Sequence, residues 1–124
     1  IRARGMTPLV VTQFAFDNDA IVAWIKEMRA RGIDVPVRLG VPGPAGIKRL
    51  LGFAKRCGVG ASANVMKKYG VSITNLIGSA GPDKLVASLD KGLTPDLGRV
   101  RLHLYPFGAL KASAEWVNDY DAKH

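Results

Sequence analysis

Three features of the sequence predict an α/β fold built on a parallel sheet. Leu9-Val10-Val11-Thr12-Gln13-Phe14 is a short β-rich run, apolar on both faces, the pattern of a strand covered from two sides. Ile21, Trp24, Ile25 and Met28 follow at i, i+3, i+4 and i+7, one apolar stripe of a helix. Strand-like runs then recur at roughly 25- to 40-residue intervals with helical patterns between them, the spacing of βαβ units. Such alternation implies parallel strands joined by right-handed crossovers. Periodicity does not separate an open doubly wound sheet from part of a closed barrel.

Each predicted element has a local cause. After the first strand, Asp17 or Asn18 can cap the helix by accepting from N–H groups of its first turn. Lys26, Glu27, Arg29 and Arg31 fill the side opposite the apolar stripe, and Gly32 supplies the stop. Val35-Pro36-Val37-Arg38-Leu39 reads as the second strand, with Pro36 near its start because proline donates nothing to a ladder. Gly40-Val41-Pro42-Gly43-Pro44 reads as a loop, with Pro44 in a first helical turn. The next helix carries Ile47, Leu50, Leu51 and Ala54 on one face and ends at Gly58.

Val59-Gly60-Ala61-Ser62 is a weak strand by propensity, favoured by its place in the alternation. Residues 63–81 suggest one or two short helices broken at Gly70 and Gly78. Pro82 opens a helix through Leu89, with Leu85, Val86 and Leu89 inward, and residues 92–98 form a loop. Val100-Arg101-Leu102-His103-Leu104-Tyr105 is the last strand, and Gly108 precedes a helix from Ala109 to about Val117. No repeat, low-complexity tract or linker divides the chain, so residues 1–124 read as one structural unit.

Composition narrows the function classes. With 124 residues, 48% of them hydrophobic and 23% charged, the chain can bury a core and is not disorder-prone. It has no stretch of about 20 apolar residues that would span a membrane. No apolar segment follows Ile1-Arg2-Ala3-Arg4, so the start is not a secretory signal, and the missing initiator Met suggests a start inside a longer chain. The single cysteine, Cys57, excludes an intramolecular disulfide; it reads as a small buried hydrophobe near a helix end, and a cytoplasmic setting is expected. Two histidines, His103 and His124, make no metal site.

The net charge of +8 comes from scattered residues such as Arg29, Arg31, Lys48, Arg49, Lys55, Arg56, Lys67 and Lys68. Most fall on predicted polar helix faces, and no aromatic residues interleave a basic run, so a solvated outer surface is expected and nucleic acid is not. An anionic substrate, such as a nucleotide cofactor or a polyglutamate tail, is a second use for part of that charge.

In parallel α/β proteins, ligands bind beyond the carboxyl ends of the strands. Four clusters qualify: Thr12 to Asp17, Gly40 to Gly43, Ser62-Ala63-Asn64, and Tyr105 to Gly108. Gln13 stands out, because a strand-end amide can donate to and accept from the edge of a planar heterocycle. Phe14 and Phe16 can wall such a ring; equally, Gln13 can satisfy nearby backbone and the phenylalanines can be core. The segment from Gly40 to Gly46 matches neither a Walker A loop nor the dinucleotide fingerprint, and reads as a turn before a helix. Asp17 is explained by capping, and no Ser/His/Asp triad can be assembled.

The run Val11-Thr12-Gln13-Phe14-Ala15-Phe16-Asp17 resembles the "TQFxFD" strand end of methylenetetrahydrofolate reductases. Ala30-Arg31-Gly32-Ile33-Asp34-Val35-Pro36-Val37 is similar to that family's "AGIDVPI", Gly40 to Pro44 to its "PGIxPV", and Leu102-His103-Leu104-Tyr105 to its "LHFYT". The resemblance implies the C-terminal portion of a (β/α)8 TIM barrel, its first strand being the fifth or sixth of eight. It further implies reduction of 5,10-methylenetetrahydrofolate to 5-methyltetrahydrofolate, within one-carbon metabolism and methionine biosynthesis. FAD would carry hydride from NADH or NADPH, with folate and nicotinamide nucleotide as partners and a homo-oligomeric state left open.

By resemblance, Gln13 contacts folate or nicotinamide, with Phe16 and Tyr105 beside it, and the flavin-binding residues lie upstream. The family's "TLNR" after the last strand is replaced by Pro106-Phe107-Gly108-Ala109, so its arginine is missing and Lys111 becomes a substitute point charge. Val59-Gly60-Ala61-Ser62 also lacks the family's proline-containing strand. A folate-binding one-carbon enzyme of other chemistry, and a basic nucleic-acid-binding module, are the alternatives.

Overall fold

The computed structural model describes residues 1–59, 66–67 and 79–124. The chain is a mixed α/β structure centred on a parallel sheet of three strands, β1 (Val10–Phe14), β2 (Val37–Pro42) and β5 (Val100–Tyr105). Helix α1 (Asn18–Ala30) links β1 to β2, α2 (Ile47–Arg56) follows β2, α3 (Asp83–Gly92) precedes β5, and α4 (Leu110–Lys123) closes the chain. A two-residue antiparallel ladder joins β3 (Ala45–Gly46) to β4 (Ser79–Ala80). The expected strand over 59–62 and the helices over 63–81 lie almost wholly outside the described residues. Within those stretches, Met66 and Lys67 are helical and residues 79–80 form β4.

The strand order β1-β2-β5 follows the chain, and both pairings are parallel. Val37, Leu39 and Val41 of β2 are almost completely buried with Ile25 and Met28 of α1, Leu50 and Ala54 of α2, and Leu85 and Leu89 of α3. Burial of each large side chain there contributes about 1.5–3 kcal/mol. The opposite side of the sheet differs at its amino-terminal end, where Val11, Arg38 and Arg101 stand in register and are exposed.

The local grammar of the first crossover is as expected. The Asp17 carboxylate accepts from the Ala20 N–H at 3.2 Å, capping α1. Gly32 takes φ 75°, the left-handed conformation that ends the helix without a Cβ clash.

Four expectations about the elements are corrected. Gly40-Val41-Pro42 is strand, not loop, pairing with His103, Leu104 and Tyr105. The second strand starts at Val37, after Pro36, whose carbonyl accepts from Val10 N–H. Pro44 is no helix start, because β3 intervenes and α2 begins at Ile47. The last helix also runs on to Lys123, along a stack of Trp116, Tyr120 and His124 with ring centroids 5.0 and 4.2 Å apart.

Candidate functional site

Gly40 determines how β1 ends. A Cβ there would lie 2.6 Å from Gln13 backbone carbon and oxygen, so only glycine lets β1 come this close. The β1–β2 register slips between Val11 and Phe14, and the Thr12 hydroxyl accepts from Gly40 N–H at 2.8 Å. Tyr105 reaches from the end of β5 to donate its hydroxyl to the Thr12 carbonyl at 2.9 Å. These contacts tie the carboxyl ends of all three strands together.

An aromatic cluster seals that rim. The Phe14 ring, 2% exposed, meets Phe16 at 5.8 Å, Tyr105 at 5.7 Å and Phe107 at 4.9 Å between centroids. Phe107 adopts φ 47°, unfavourable for a residue with a Cβ, and its ring is held by Phe14 and Phe53. Its carbonyl accepts from Arg49 at 3.2 Å. Gly43 packs against the first turn of α4, where a Cβ would lie 2.6 Å from Ser113 Oγ.

Gln13 is exposed at this rim, and its Oε1 accepts from Phe14 N–H at 3.1 Å. A cleft of about 540 Å³ runs beside it, between the end of β1, helix α1 and the end of α2. Gln13, Phe16, Asp17, Trp24, Leu39 and Cys57 are among its lining residues. Of the residues singled out by sequence, Gln13 and Phe16 therefore share a site. Tyr105 adjoins it through Thr12 and Phe14 without lining it. Lys111 stands apart on α4, with its side chain 90% exposed and its ammonium 3.7 Å from Glu115. The candidate cluster Ser62-Ala63-Asn64 lies outside the described residues.

Two cleft residues were missed by sequence reasoning. Trp24 belongs to the helical stripe expected to be core, yet it is 39% exposed and faces the cleft. Cys57 was expected to be buried and is exposed, because α2 ends on it and the chain turns away at Gly58. Periodicity locates the face of a helix but not where that face runs past its neighbour.

The cleft suits a flat, largely apolar ring with one hydrogen-bonding edge. Holding the diphosphate of a dinucleotide requires cations or an open helix amino terminus; this lining includes neither lysine nor arginine, and at the start of α1 the Asp17 carboxylate already takes the Ala20 N–H and adds a negative charge. Among the described residues, the cleft therefore does not fit the diphosphate of FAD or of a nicotinamide nucleotide. No three-residue His/Cys/Asp/Glu metal cluster occurs among the described residues, and no described helix is long and apolar enough to cross a membrane. The fold and cleft define an α/β protein with a parallel sheet and a ligand-sized concavity at its carboxyl rim. No family model matches the chain.

Proposed function

We propose that this chain is the C-terminal portion of a (β/α)8 barrel of an oxidoreductase resembling methylenetetrahydrofolate reductase, acting on 5,10-methylenetetrahydrofolate. The observation that carries the reading is Gln13. It is exposed at the carboxyl end of a parallel strand and lines a cleft of about 540 Å³ that also has Phe16 and Trp24 in its walls. Strands in chain order suit a barrel segment; the Gln13 cleft lies at the carboxyl rim on the side of the sheet that carries α1 and α2.

In this reading the aromatic walls bury a flat ring, and the Gln13 amide reads its edge. Gln13 already accepts from Phe14 N–H through Oε1, which leaves its NH₂ free to donate. The family resemblance adds FAD and NADH or NADPH as redox partners. The described cleft offers their phosphates no cationic partner.

The test is reduction of 5,10-methylenetetrahydrofolate by the full-length protein with NADH or NADPH, following 5-methyltetrahydrofolate by chromatography. Gln13→Ala should lower kcat/KM by about tenfold, the equivalent of one lost hydrogen bond at a desolvated edge, while the melting temperature holds. Turnover indifferent to Gln13→Ala removes the assigned role, and no turnover with either nucleotide removes the reductase reading. Flavin absorbance of the purified protein tests the cofactor separately.

A further inference from the structure

At the amino-terminal end of the sheet, away from the cleft, Arg38 of β2 and Arg101 of β5 are register partners on adjacent parallel strands. Their side chains leave the same face, and Arg99, two residues before Arg101, shares that side. All three are exposed, and together with Thr7 and Pro36 they line a concavity of about 370 Å³. The lining contains no carboxylate, and among the described residues none of the three arginines makes an ion pair or a side-chain hydrogen bond. Asp34, the acid nearest Arg38 in sequence, is bound to Arg2 at 2.8 Å, and Asp96, three residues before Arg99, makes no ion pair with the cluster among the described residues.

Like charges side by side on neighbouring strands cost stability, and among the described residues no carboxylate pairs with them to offset that repulsion. A guanidinium presents a planar fork that pairs bidentately with phosphate or carboxylate. We propose that Arg38, Arg99 and Arg101 form a binding site for a small multivalent oxyanion carrying phosphate or carboxylate groups. A concavity with proline and leucine walls favours a compact ligand over a polymer, which would need an extended basic track. This site lies at the opposite end of the strands from Gln13, on the sheet face that a barrel would turn inward, and does not rest on the reductase reading.

Isothermal titration of the protein in low-salt buffer with inorganic pyrophosphate, and separately with citrate, tests the site. Saturable binding of either is expected, weakened at least tenfold in Arg38→Gln and in Arg101→Gln. Lys26→Gln removes the same charge from α1 and should leave the affinity unchanged. Tighter pyrophosphate assigns phosphate as the ligand group, and tighter citrate assigns carboxylate. Without anion, Arg101→Gln should melt no lower than the parent, because repulsion is relieved; a purely structural arginine would lower it. The proposal is overturned if Lys26→Gln weakens binding as much as Arg101→Gln. It also fails if neither anion saturates, whether or not a DNA oligonucleotide binds, or if the cluster serves only to pair copies of the chain in low-salt sedimentation.

Discussion

The guanidinium of Arg29 donates to the carbonyls of Leu97 at 2.7 Å, Ile33 at 2.6 Å and Val35 at 3.0 Å. Its sequence position on the polar side of α1 suggested a solvated cation, yet the side chain fastens the α1–β2 link and the turn before β5. Arg31, two residues on, is 70% exposed and among the described residues its side chain pairs with Glu27 alone, at 2.7 Å. The two should respond differently to the same change. Arg29→Met leaves three carbonyls without their donor and should cost about 2–3 kcal/mol, since charge-assisted hydrogen bonds are the stronger kind. Arg31→Met breaks an exposed pair and should cost less than about 0.5 kcal/mol. Urea unfolding with an unchanged m-value measures both. Equal losses would mean that Arg29 does not bridge these segments.

At the level of elements, β2 is the centre of the sheet, and Gly40 is the point on which its neighbour depends. Gly40→Ala places a methyl group against the Gln13 and Phe14 backbone, which cannot rotate away as a side chain could. It should cost about 2–3 kcal/mol by overpacking and pull β1 from β2. Slower hydrogen exchange at Ala15 N–H, which donates to the Gly40 carbonyl at 3.3 Å, would be lost with it. A neutral Gly40→Ala would sink this account of the strand end. The same glycine explains why the sequence misplaced the end of β2. Gly and Pro at 40, 42, 43 and 44 carry the composition of a loop, whereas parallel pairing on the β5 side and close approach on the β1 side keep residues 40–42 extended. Helices α1, α2 and α3 were legible because their apolar periodicity states which face is buried, and Asp17 and Gly32 mark where α1 begins and ends. The rim was only half legible. Gln13 and Phe16 lie three residues apart in one motif and reach one cleft, but Trp24 and Cys57 enter it through the way helices lie against β1, a packing outcome that no local spacing encodes.

For the whole molecule the dominant electrostatic fact is a formal charge of +8 with three ion pairs among the described residues, all solvent-exposed. Exposed pairs contribute little, so self-repulsion should outweigh them at neutral pH. Sodium chloride raised from about 0.01 to 0.15 M shortens the screening length from roughly 30 to 8 Å and should stabilise the fold. A gain of about 1 kcal/mol would appear as a rise of roughly 3–6 °C in melting temperature, read by calorimetry. Acid should act the other way. The Arg2 guanidinium holds the Asp34 carboxyl below its usual value near 3.8, so the pair's contribution is complete above that value and is lost as pH falls through the lower folded value. Being fully exposed, Asp34 adds little by itself; protonating carboxylates generally raises the positive charge further, so the acid limb of stability should also be relieved by salt. A melting temperature that falls as chloride is added at pH 7 would mean that attraction, not repulsion, governs the charge of this fold, and that the arginines at 38, 99 and 101 find partners in the protein itself.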